Sequence, residues 1–293
     1  MSAFAAEFVA ENYDLAATLT SGQAFRWRRA GDAWESVIAS RWVRLRQEQN
    51  TIFVQTAVPV EDWNWLRHYL QLDIDFAAIV RTFPSDEPMQ TSLKSCAGLR
   101  LLRQEPWECL ASFICSSTKQ IVQIQQIIAL LCRRFGDAVA VPMGHESVYS
   151  FPRFTRVAEV SEADLRECKL GFRAPYLLAT ARKLRDVEMN LAALSELPLA
   201  EARAKLVELP GVGLKIADCV LLFAYGFPGA FPVDVWIMKA LRQLYFPRRR
   251  VKLPRLRRFS QTHFGPNAGY AQQYLFHYMR MKGRSLQGDS SNR

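Results

Sequence analysis

The stretch LPGVGLKIADCVLLFAYG, residues 209–226, decides how the chain is read. Upstream, LAEARAKLVEL places Leu199, Ala202, Leu206 and Leu209 on one face, which predicts an amphipathic helix. A second helix is expected to start near Leu214, after the tight PGVG turn. Two helices joined in this way form a helical hairpin. The glycines allow a ligand to approach the backbone closely, and one or both are expected at positive φ. With the free N–H groups at the second helix start, Gly211, Val212 and Gly213 form a site suited to a DNA phosphate.

One charge in the stretch looks out of place. From Ile216 to Phe223 the chain is almost wholly apolar, yet Lys215 stands at its mouth. A solvated helix end is the ordinary explanation. However, a helix N-terminus is positive, and burial also disfavours an ammonium, so both push Lys215 toward a neutral, nucleophilic amine. Four-residue spacing aligns Lys215, Cys219 and Phe223 on one face. FPGAFPVDVW follows, with two prolines fixing a short connection and Asp234 at the expected N-cap of the next helix. Its carboxylate, held by backbone donors, is expected to stay ionised at neutral pH. A nucleophile paired with an anion is what cleavage of a glycosidic bond requires, because its transition state resembles an oxocarbenium ion.

Working outward, residues 23–58 read as short strands broken at Gly31-Asp32 and Gln49-Asn50. Phe25 and Trp27 alternate with polar residues, as do Val43 and Leu45, and Ile52 and Val54. VEDWNWLRHYL then turns helical, and from about Ser95 the pattern is helical almost throughout. In SSTKQIVQIQQIIALLCRRFG, Ser117 or Thr118 is the expected cap and Gly136 the end. SEADLRECKLG is expected to run to Gly171, and Pro175 to open the next helix. An α+β protein with a small antiparallel sheet and a large helical part follows.

The 293 residues carry a net charge of +10, with a pI near 9.5. After Asp234 the only acid is Asp289, whereas Arg248, Arg249, Arg250, Lys252, Arg255, Arg257 and Arg258 cluster there, so a basic lobe facing phosphates competes with a plain solvated loop. The six cysteines form no C-x-x-C pair and sit among apolar neighbours, which favours buried, reduced thiols in an intracellular protein. No membrane span, secretory signal or transit peptide is expected.

The combination LPGVGLKIADC…FPVDVW resembles the helix-hairpin-helix, Gly/Pro-loop, aspartate signature of the DNA glycosylase superfamily. SGQAFRW (21–27), RLLRQEPWECLASFICSS (100–117) and FGPNAGYAQQYLF (264–276) narrow the resemblance to the 8-oxoguanine DNA glycosylase family, from about residue 15 to 280. It implies an N-terminal sheet domain (1–97) and a two-lobed helical glycosylase domain (98–282) with its hairpin at about 199–225. A polar tail (283–293) is expected to be disordered. By the resemblance, Lys215 attacks C1′ of a flipped nucleotide, leaving a Schiff base that β-elimination can resolve into a nick, and Asp234 stabilises the sugar cation. The main-chain carbonyl of Gly22 reads the N7 proton of 8-oxoguanine, Cys219 and Phe276 sandwich the base, and Gln272 reads its Watson–Crick edge. Phe223, on the lysine face, is added to this pocket. The resemblance also implies a main-chain cation site at Val207, Leu209 and Val212. No cofactor is implied. Iron–sulfur relatives need four cysteines near the C-terminus, and none follows Cys219.

The chain departs from the pattern where the opposite strand is read. Thr118-Lys119-Gln120 replaces an asparagine run, Gln123 replaces an arginine that reads the opposite cytosine, and Phe172 replaces a wedge tyrosine. Arg173 is retained, and Trp236 replaces a histidine. Weaker selectivity for opposite cytosine is the expectation. The expected partner is double-stranded DNA containing 8-oxoguanine, bound by a monomer. The compartment would be cytoplasm and nucleoid in a bacterium, or the nucleus in a eukaryote. An alkylpurine glycosylase of the same superfamily is the nearest rival, although it generally lacks the lysine. A non-catalytic helix-hairpin-helix module is the rival from another class, although it would not require Lys215 and Asp234 together.

Overall fold

A computed structural model describes residues 4–247 and 251–288, with side chains described as far as Gly283. Five antiparallel strands, β1 (Ala5–Val9), β2 (Arg28–Ala30), β3 (Ala33–Ile38), β4 (Arg41–Glu48) and β5 (Thr51–Thr56), form one sheet in the order β1-β5-β4-β3-β2. Gly31-Asp32 and Gln49-Asn50 are its hairpin turns, as expected, and Val43, Leu45, Ile52 and Val54 point into its core.

Three features of the sheet differ from the expectation. The edge strand β1 was not foreseen, because Ala6 and Phe8 are its only inward residues and it holds a single β-branched one. The β3–β4 turn is Ala39-Ser40, both left-handed at φ 47 and 59, without the Asn-Gly signal usual for such a turn. Phe25 and Trp27 are buried but lie in the loop before β2. Their alternation marks anchors, not a strand.

The helices are α1 (Leu15–Thr20), α2 (Asn64–Leu70), α3 (Phe76–Arg81), α4 (Glu87–Ser95), α5 (Pro106–Cys115), α6 (Ile121–Phe135), α7 (Phe154–Glu159), α8 (Glu162–Glu167), α9 (Ala174–Arg185), α10 (Leu199–Val207), α11 (Leu214–Val220), α12 (Val235–Ala240), α13 (Leu253–His263) and α14 (Ala268–Gly288). A short ribbon, β6 (Ala138–Val139) with β7 (Val148–Tyr149), lies between α6 and α7. The sheet, α1 and α2 share one apolar core, to which Leu102 is added. The remaining helices share a second core, which also takes in Phe83, Met89 and Cys96 because α4 packs on α14.

Several helix ends were misjudged. The N-cap of α6 is Gln120, in a capping box with Gln123, not Ser117 or Thr118. Glutamine is a poor predictor of a cap, which hid it. Gly136 ends that helix in extended backbone (φ −82). Glycine is needed there for space, since a Cβ would come within 2.0 Å of the Ser150 carbonyl. α8 stops at Glu167, short of Gly171, because Lys169 takes φ 64. α14 continues to Gly288, so the polar residues 284–288 extend a helix where disorder was expected. Residues 289–293, like Arg248, Arg249 and Arg250, lie outside the described residues.

Candidate active site

The helical hairpin forms as its sequence predicts. α10 buries Ala202 and Leu206, Leu209 is buried in the turn after it, and α11 begins at Leu214 with Gly213 as N-cap. Gly211 takes φ +76 with Tyr176 against its Cα, so a Cβ would sit 2.7 Å from that side chain. Gly213 is at φ −95 and faces open space, so only one glycine needs the left-handed region. Val212 donates its N–H to the Leu209 carbonyl at 3.1 Å, and Thr180 Oγ1 donates to the Pro210 carbonyl at 3.1 Å. Arg203 Nε donates to Asp218 Oδ1 at 2.7 Å, tying α10 to α11. This clamp was not read from the sequence, where both residues look like ordinary surface charges.

α11 does not run on as a plain helix. After Val220 it widens into a π turn over Leu221–Tyr225, closed by Gly226 at φ +76. The wider turn changes the side-chain phase. Lys215 and Cys219 remain one turn apart, whereas Phe223 is buried and stacked on Phe113, ring centroids 5.7 Å apart. Phe113 in turn lies beneath the lysine, 5.1 Å from Nζ. Lys215 is half-buried, and its Nζ donates to Ser116 Oγ at 3.4 Å. Neither Phe113 nor Ser116 was picked out by sequence reasoning, since both look like α5 core and cap.

Asp234 caps α12 as predicted, its Oδ1 accepting the Ile237 N–H at 2.8 Å. Burial pushes its carboxyl above the ordinary carboxylate range, against the opposing pull of the Ile237 N–H and the Lys215 charge. The direction is therefore opposite to the simple capping argument, which neglected desolvation. Burial pushes the Cys219 thiol up to about 12, with Lys215 pulling the other way and Asp234 and Asp218 adding to the rise, so it stays a neutral thiol. All six cysteines are free and buried. The loop that carries Asp234 rests on α14. Gly269 donates its N–H to the Pro228 carbonyl at 2.8 Å, and a Cβ at Gly269 would strike Leu222 at 2.3 Å. Trp236 packs across Gly283 of α14.

Two of the residues expected to border the base, Gly22 and Phe276, meet from distant segments. Gly22 takes φ +84, and a Cβ there would come within 2.9 Å of Ile121 and Arg280 and 3.4 Å of Phe276. Its loop is pinned on both sides. Gln273 Nε2 donates to the Ser21 carbonyl, and buried Gln23 donates to Thr18, Ser21 and Arg100 while accepting the Leu102 N–H. Arg26 and half-buried Glu108 pair at 3.4 Å, and Phe25 meets Phe113 edge-on at 5.5 Å, connecting the Gly22 loop to α5 and the lysine. On α14, Phe276 is half-buried, and Gln272 is 3% exposed with its Oε1 lacking any partner among the described residues. A buried, unsatisfied acceptor costs free energy unless a ligand supplies the donor. Ile121 and Arg280 were missed, because nothing local in sequence sets them beside residue 22.

The opposite-strand residues divide. Phe172 is 55% exposed and lies over the Arg173 guanidinium at 4.2 Å. Arg173 itself is 2% exposed and turned inward, donating to the Leu170 and Ser117 carbonyls and to Thr118 Oγ1. Gln123 Oε1 accepts the Gln120 N–H, so its acceptor is engaged in the helix cap. Thr118 is exposed at φ 58, and Lys119 is half-buried. Lys252, the N-cap of α13, and Arg255 and Arg258 on it are exposed. Among the described residues no three His, Cys, Asp or Glu side chains gather to hold a metal.

A helical hairpin, a lysine at the mouth of its second helix and an aspartate beyond a Pro-rich loop define a DNA glycosylase of the helix-hairpin-helix class. The family described as "8-oxoguanine DNA glycosylase, N-terminal domain" matches residues 7–110, and the "HhH-GPD superfamily base excision DNA repair protein" family matches residues 111–261. A probable N-glycosylase/DNA lyase of Methanothermobacter thermautotrophicus is 32% identical over 93% of this chain and 95% of its own. A structure of MBOgg1 with a low-affinity DNA ligand superposes with a TM-score of 0.90 at 32% identity, covering 96% of both chains. The Clostridium acetobutylicum 8-oxoguanine glycosylase/lyase, bound to double-stranded DNA with cytosine opposite 8-oxoguanine, gives a TM-score of 0.88 at 32% identity over 93% of each chain. The chain belongs to the 8-oxoguanine DNA glycosylase family.

Proposed function

We propose that this protein excises 8-oxoguanine from duplex DNA and cleaves the resulting abasic strand. The Lys215 amine attacks C1′ of an extruded nucleotide as the bond to the base breaks and the base leaves with a proton; the C1′–O4′ bond then opens, O4′ taking up a proton as the nitrogen loses one, and a Schiff base remains. β-Elimination then breaks the 3′ C–O bond. Asp234 offsets the positive charge that develops on the sugar. The observation that carries this reading is the lysine itself, held half-buried over Phe113 and within electrostatic reach of Asp234. Gly22, Cys219, Gln272 and Phe276 form the base pocket, and the unpartnered Gln272 Oε1 accepts from the Watson–Crick edge. Phe223 supports the floor beneath the lysine rather than touching the base.

Phosphates are gripped at Gly211, Val212 and Gly213, Phe172 wedges the duplex, and Thr118, Lys119 and Gln120 border the gap left by the extruded base. A cation at the hairpin would rest on the carbonyls of Val207, Leu209 and Val212. The reaction asks for no cofactor and for one copy of the chain, acting inside the cell. The functional organisation is a sheet domain (1–97) and a helical domain (98–282), with α4 of the first packed into the core of the second. The test is borohydride trapping on an 8-oxoguanine duplex. A covalent adduct is expected that disappears in Lys215→Gln while lesion binding persists. Base release that survives in Lys215→Gln would overturn the nucleophile assignment.

A further inference from the structure

We propose that Ser116 is a positioning residue for the Lys215 nucleophile, fixed in place by Arg173; the proposal rests on the reading of Lys215 given above. Ser116 is the C-cap of α5, and its Oγ donates to the Phe113 carbonyl at 2.7 Å. That donation commits the hydroxyl proton and leaves the oxygen lone pairs toward Lys215 Nζ, 3.4 Å away. Ser116 therefore acts only as an acceptor for the amine. A donating hydroxyl would occupy the nitrogen lone pair that must attack C1′. An accepting one takes an N–H and leaves that lone pair free. The Phe113 ring closes the amine from the other side at 5.1 Å. Together they restrict a side chain with four rotatable bonds to a narrow range of directions.

The turn that presents Ser116 has little support of its own. Thr118 sits at φ 58, and the Lys119 N–H donates to the Ser116 carbonyl. Arg173, the N-cap of α9, supplies the support, donating to the Ser117 carbonyl and to Thr118 Oγ1 at 2.6 Å. Among the described residues Arg173 bonds only carbonyls and a hydroxyl, and a guanidinium buried without a carboxylate is costly. Its retention here accords with a role in fixing this turn. Ser117 and Thr118, 56 and 55 positions from Arg173, are thus held so that Ser116 stays within reach of the lysine 99 positions away.

The test compares Ser116→Ala and Ser116→Thr with the parent protein on saturating 8-oxoguanine duplex. It reads single-turnover base release, DNA affinity, melting temperature and borohydride trapping. Ser116→Ala is expected to slow base release about tenfold, the size of one lost hydrogen bond, with affinity and melting temperature unchanged. Ser116→Thr, which keeps the acceptor, is expected to recover most of the rate. Base release by Ser116→Ala within about twofold of the parent would overturn the proposal. So would a loss accompanied by weaker DNA binding or lower melting temperature, or one that Ser116→Thr does not recover. Trapping separates this from the underlying reading. If Lys215→Gln still releases base, the nucleophile is wrong; if it abolishes the adduct while Ser116→Ala keeps the parental rate, only the role of Ser116 fails.

Discussion

Gly22 and Phe276 approach so closely that a methyl group on the glycine would lie 3.4 Å from Phe276 Cε1, across the pocket assigned to the base. The two residues are joined by buried Gln273 of α14, which bonds the Ser21 carbonyl. Gly22→Ala therefore meets two obstacles. At φ +84 an L side chain is strained by about 1–2 kcal/mol. Its methyl would also press Ile121 and Arg280 at 2.9 Å. The melting temperature should fall by a few degrees, at about 2–4 °C per kcal/mol for a chain of this size. Excision of 8-oxoguanine should fall much further than stability accounts for. A variant with parental single-turnover rates would show that Gly22 does not border the base.

Asp234→Asn separates stability from activity. The carboxyl holds its proton more tightly in the folded state than in the unfolded one, because burial outweighs its hydrogen bonds and Lys215. Such a group contributes stability that is complete below the unfolded value of about 4 and is lost as pH rises through the folded value. At pH 8 the parent thus carries a cost that a neutral asparagine, itself a good N-cap, removes. Thermal melts should find Asp234→Asn at least as stable as the parent at pH 8, with the difference closing as pH approaches 4. Base excision should drop by on the order of 10²-fold. A variant less stable at pH 8 than the parent would contradict the assigned direction.

Opposite-base selectivity should be weak. Gln123 spends its acceptor on the α6 cap, and Arg173 faces inward. Neither offers the outward cationic donor that would single out cytosine. Excision measured with each of the four opposite bases should vary by less than about tenfold, the value of one ordinary hydrogen bond. A strong cytosine preference would refute this.

Phe172 should matter for DNA and not for folding. Its ring is more than half exposed and contacts the Arg173 guanidinium. Phe172→Ala should leave the melting temperature within about a degree, as surface changes do. It should weaken binding to lesion duplex by roughly tenfold, from lost stacking of about 1–3 kcal/mol per base. Unaltered affinity would remove Phe172 from the wedge position.

The sequence by itself determined the hairpin, its Lys215 and the Asp234 cap, because each depends on residues within one or two helical turns. It also determined the inward faces of β4 and β5 and the two turns at Gly31-Asp32 and Gln49-Asn50. Where local chemistry was unusual, reading failed, as with Ala39-Ser40 in left-handed backbone and Gln120 as a cap. The surroundings of the chemistry were decided by tertiary structure alone. Ser116 and Phe113 meet Lys215 across about a hundred residues, Ile121 and Phe276 border Gly22, and Gln272 is left with a buried acceptor and no partner among the described residues. Such contacts leave no periodicity in the chain. Even the direction of the Asp234 shift followed from desolvation, which is a property of packing and not of any motif.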